Sequence, residues 1–158
     1  LLLDLHPLNP NFIIYEHIIK THSHDCTSLV LYKFGEEIID FKDWTWLGCV
    51  AAVSEFSWKS KDNLEFIQKH NPEYIPEDQK SKLLDLVKKM NNMINYYSKD
   101  TNKAYNLILK KDFGKINDAS NEISIELEDK LKDFEMNAES HFDKHLYLYF
   151  LKSKFSIG

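Results

Sequence analysis

Between Glu77 and about Ser98 the apolar residues Leu83, Val87, Met90 and Ile94 recur at spacings of four, three and four, with lysines and asparagines between them. An α-helix turns once in about 3.6 residues, so these positions share a face and predict an amphipathic helix. Pro76 suits its first turn. The stretch "SKDTNKAYNLILKKDFG" predicts a second helix, with Asp100 or Thr101 as N-cap and Gly114 as the C-terminal stop. A third, the longest, carries Ile123, Leu127, Leu131, Phe134, Ala138, Phe142 and His145 in one stripe. Asp118, Ser120 or Asn121 would cap it, and it could run as far as Lys154. The alternation in "EISIEL" also fits a strand, but the unbroken seam through Phe142 favours helix.

The first half of the chain is less periodic. "NFIIYEHIIKTH" and "TSLVLYKF" are rich in β-branched and aromatic residues and flank a polar "SHDC", which fits a hairpin. For Phe12 to Ile19 the start signal at Pro10 and Asn11 tips the balance towards a buried helix. A helix should open near Asp43 and be buried on most sides from Leu47 to Val53, and a short one should follow in "SKDNLEFIQKHNP", capped by Ser60 or Asp62. The fold expected is mainly α, a single globular domain over 1–158 built as a compact bundle of about five to seven helices, with room for a short N-terminal β-hairpin.

At 158 residues the chain can bury a sizeable core without disulfides. Its two cysteines, Cys26 and Cys49, are far apart, which suits a reducing, cytoplasmic setting. No apolar run reaches the roughly 20 residues of a membrane span, and "LLLDLHPLNP" lacks the basic flank of a signal peptide. All 20 basic residues are lysine and the formal net charge is −5, so neither the field nor the bidentate arginines that attract nucleic acid are present.

Two histidine pairs raise the question of a metal. In "KTHSHDC", His22 and His24 would share a face of an extended segment; in "HFDKH", His141 and His145 would share a face of a helix. The run T-H-S-H-D resembles the opening of the metallo-β-lactamase motif over five residues, but Asp25 comes one place early and no histidine follows it. Because His145 lies in the apolar stripe and His141 at its edge, the plainer expectation is a core-facing, hydrogen-bonded imidazole. A metal-dependent protein, such as a hydrolase, using His22, His24, His141 and His145 remains the alternative. Cys26 or Ser23 beside the histidines is a weaker nucleophile candidate.

Charge is the more distinctive signal. From Asp118 to Asp143 nine acidic residues face two lysines, whereas from Pro76 to Lys115 nine lysines face five acids. On a helical projection Glu122, Glu126, Asp129 and Asp133 form a narrow ridge expected to stand opposite the apolar seam. Like charges four apart cost a few tenths of a kcal/mol each. Trp44 and Trp58, flanked by charged residues, are either core or partly exposed anchors. The expectation is a small acidic binding protein without a cofactor that recognises a basic protein. Its most concrete form is an inhibitor or immunity protein neutralising a basic toxin such as a nuclease, steered by the four carboxylates and anchored by Trp44 or Trp58. The aromatic tail "HLYLYFLKSKF" must be covered, by the core or by a second copy in a homodimer.

Overall fold

The structure is a computed structural model that describes the backbone of residues 2–4, 18–20, 26–141 and 146–148, and the side chains of 26–138. It is mainly helical, with six α-helices among the described residues. Two compact units divide between Val87 and Lys88.

In the first unit a short parallel pair joins β1 (Leu2–Asp4) to β2 (Ile18–Lys20). The rest of the segment proposed as a buried helix or first hairpin arm, Phe12 to His17, lies outside the described residues. "TSLVLYKF", the second arm, is helical: it forms α1 (Thr27–Glu36). Its β-branched and aromatic content favours strand, but Leu29 and Tyr32, three apart, are both buried on one side, and Cys26 caps the start by accepting from the Leu29 amide at 3.3 Å. A 3-10 turn over Lys42–Trp44 leads into α2 (Thr45–Ser54), where Gly48, Cys49, Val50, Ala52 and Val53 are buried. Then come a second 3-10 turn, Ser57–Lys59, and α3 (Lys61–His70), which begins after Ser60 as expected.

Tyr32 is the hub of this unit. Its ring packs 5.7 Å from that of Phe66 and 6.3 Å from that of Phe41. Gly48 makes the approach of α2 feasible, since a Cβ there would already stand 3.3 Å from the Tyr32 ring. Gly35 does the same for Phe41, whose ring occupies the space a Cβ would need. The Tyr32 hydroxyl lies 2.6 Å from both Glu36 Oε1 and Thr45 Oγ1, tying α1 to α2.

The fourth helix, α4 (Lys82–Tyr96), starts later than Pro76. Glu77 adopts a left-handed φ of 66°, and the Asp78 carboxylate accepts from the Lys80 amide at 3.0 Å. This local turn competes with helix and delays it to Ser81, whose carbonyl receives the first helical bond, from the Asp85 amide.

The second unit holds the rest of α4 with α5 (Thr101–Leu109) and α6 (Phe113–Asn137). Asp100 caps α5 through the Lys103 amide. The stop is three residues earlier than Gly114. The Lys111 amide bonds to Ile108 O and the Asp112 amide to Leu107 O, both at 3.0 Å, with Lys111 left-handed at φ 51°. These are the paired bonds of a Schellman ending, made here with lysine where glycine is usual. Gly114 instead lies in the first turn of α6, which Asp112 caps through the Lys115 amide, so Asp118, Ser120 and Asn121 are interior positions. "EISIEL" is helical. The helix stops at Asn137, well short of Lys154. Ala138 turns extended, and β3 (Glu139–His141) pairs antiparallel with β4 (Leu146–Leu148). Alternating Leu and aromatic residues from Leu146 on favour that extended state.

Candidate functional site

The acidic helix α6 is held by its first half. Ile116, Ala119, Ser120 and Ile123 are buried, and Asn92 of α4 donates to Ser120 Oγ at 3.1 Å and to Ser124 Oγ at 3.4 Å. One turn along, the Tyr96 hydroxyl donates to Glu122 Oε2 at 3.1 Å. That carboxylate raises the Tyr96 pKa, because it accepts from the neutral phenol and repels the phenolate.

The four ridge carboxylates do lie along one side of α6, but not directly opposite the core. Turning about 100° per residue, the buried positions centre on Ile116 and Ile123, and the ridge stands roughly a quarter turn away. Its inner edge is therefore half-buried. Glu122 and Asp129 are exposed, while Glu126 and Asp133 are intermediate. Asp133 Oδ1 accepts from Asn137 Nδ2 at 2.6 Å. Glu122, Ile125, Glu126, Asp129 and Lys130 line a shallow hollow in this surface.

Apolar side chains interleave the charges in a way the sequence pattern did not reveal. Ile125 and Met136 are exposed beside the ridge, and Leu127 and Leu131, which were expected in the core, are exposed on the other side of the helix, in line with Ile116 and Ile123. The signal for Ile125 was its place off the stripe. For the two leucines no local signal existed, because their exposure depends on where the covering helices end.

The aromatic candidates belong to the first unit. Trp44 is half-buried, with its ring 6.5 Å from that of Trp46, and Trp58 is also half-buried, with Lys59 Nζ 5.8 Å from its ring centroid. The same ammonium lies 5.5 Å from the ring of Phe56, an exposed residue with a left-handed φ of 56°.

The histidines of the metal alternative fall largely outside the described side chains. His22, His24 and His145 are not among the described residues, and His141 stands in β3, not on the helix that its pairing with His145 supposed. Among the described residues no three His, Cys, Asp or Glu side chains gather as a metal site. Cys26 is buried, its pKa raised by burial, and its sulfur serves as a helix cap, which removes it as an accessible nucleophile. A larger hollow of about 630 Å³ includes Lys103, Lys110 and Lys115 in its lining. Lys103 lies over the Tyr97 ring, Lys115 pairs with Asp112 at 3.3 Å and Asp100 shares the lining, so two carboxylates stand against the three ammonium groups there. No described helix is long and apolar enough to cross a membrane.

No protein-family model, curated protein or solved structure matches this chain.

Proposed function

We propose that the chain is a non-enzymatic binding protein that recognises a basic protein through the acidic side of α6. The observation that supports this most is the exposure of Glu122 and Asp129, in line with Glu126 and Asp133, on one continuous helix of 25 residues. Such a helix is about 37 Å long and keeps its charges at fixed spacing. A negative field focused on one flank speeds encounter with a cationic surface and selects its orientation.

In its most concrete form the partner is a basic toxin such as a nuclease, and the chain acts as an inhibitor or immunity protein that covers the toxin's working surface. Trp44 and Trp58, both half-buried, are the apolar anchors in this reading. The test is a pull-down from the source cell with tagged protein at about 0.05 M and about 0.5 M salt, with the captured protein identified by mass spectrometry. A basic protein held at low salt, released at high salt and lost with E122K/D129K is the expected result. A partner without basic surplus, or equal capture by the charge-reversed variant, overturns the reading.

A further inference from the structure

The apolar stripe of α6 outruns the core that covers it. Ile116 and Ile123 are buried, and the stripe continues at helical spacing to Leu127 and Leu131, which are 41% and 53% exposed. All four share one face of the helix, so the surface that α6 uses to pack within its own unit extends for two further turns into solvent. Leucines four apart on a helix form the kind of ridge that a second helix covers by interdigitation.

We propose that this free continuation of the stripe docks an amphipathic basic helix of the partner, an inference that rests on the reading of a cationic protein partner. Charge selects the occupant. Residues 124–137 carry five acids against two lysines, and Glu128 and Glu135 border the leucines on one side, with Glu126 and Lys130 on the other. A second copy of α6 would bring two such segments together, each with five acids against two lysines, and be repelled. A helix with lysine or arginine flanking its own leucines meets apolar with apolar and acid with base.

The direct test uses the full chain and two synthetic peptides of one leucine and lysine composition, one patterned as an amphipathic helix and one scrambled. By fluorescence anisotropy the patterned peptide binds at least roughly tenfold more tightly, gaining helical circular dichroism, and L127S/L131S removes that preference. Equal binding of the two peptides, or an unchanged preference in L127S/L131S, overturns the proposal. If the captured basic protein is lost with E122K/D129K but kept by L127S/L131S, helix docking falls while the charge reading stands. Retention by both variants removes both. A concentration-dependent dimer seen in sedimentation and abolished by L127S/L131S makes a second copy the occupant and also overturns it.

Discussion

The Tyr96 hydroxyl donates to Glu122 at 3.1 Å, which makes the outermost ridge carboxylate part of the contact between α4 and α6. The carboxylate raises the phenol's pKa above its ordinary value of 10.0. The folded state thus favours neutral Tyr96, and the contribution is complete below pH 10 and lost as pH rises through the raised value. Alkaline titration of tyrosinate absorbance is expected to show late-titrating groups, Tyr96 beside Tyr32 and Tyr74, of which one moves towards the ordinary range in E122Q and is lost in Y96F. A titration unchanged by E122Q contradicts the contact.

Met93 and Ile94 set the register of α4. Periodicity in the sequence points to Ile94, but Met93 is fully buried and Ile94 is 47% exposed, because α6 lies on the side of Asn92 and Tyr96. M93A is expected to cost about 2–4 kcal/mol in urea unfolding, and I94A less than about 1 kcal/mol. The reverse order would place the other face against α6.

Lys111 and Gly114 give opposite lessons about glycine. Lys111 holds the left-handed position that glycine occupies at little cost, so K111G is expected to raise stability by up to about 1 kcal/mol. Gly114 sits in a helix where a Cβ would make only an ordinary contact, 3.6 Å to Asp112 Oδ1, so G114A is also expected to stabilise, by about 0.5–1 kcal/mol. If Gly114 were the helix stop, G114A would lower the melting temperature instead.

Cys26 and Cys49 are both free and buried. Burial pushes the Cys49 thiol from 9.0 up to about 11, so the fold favours the protonated thiol, fully below pH 9 and progressively less towards pH 11. At pH 8 neither cysteine is expected to react with Ellman's reagent faster than the protein opens, whereas both react at once in denaturant. Rapid native labelling would contradict the placement of α1 and α2.

The helices were legible where apolar residues recur every three or four positions: α4, α5 and the middle of α6 are present, as are α2 and α3. Their ends were not, because each is set by a local contest. Asp78 folds its own turn and delays α4; Asp112 captures the Lys115 amide and starts α6 before Asp118. The run Thr27 to Phe34 carries strand-like residues, yet the pocket that receives Leu29 and Tyr32 makes it helical. The acidic ridge was legible as a line of charges. Its angle to the core was not, since that depends on which flank of α6 meets Asn92 and Tyr96, and the same tertiary choice leaves Leu127 and Leu131 in solvent.

In the proposed reading, carboxylates on the open side of α6 carry recognition of a basic protein. Glu122 and Asp129 are the two to neutralise, because both are exposed, whereas Glu126 and Asp133 are half-buried. The decisive measurement is the dissociation constant of the complex with the captured basic protein as a function of salt, for the native chain and for E122Q/D129N. Steep weakening with salt is expected for the native chain, and for the variant a weaker complex at low salt with a shallower dependence. Superimposable salt curves for the two proteins would contradict it.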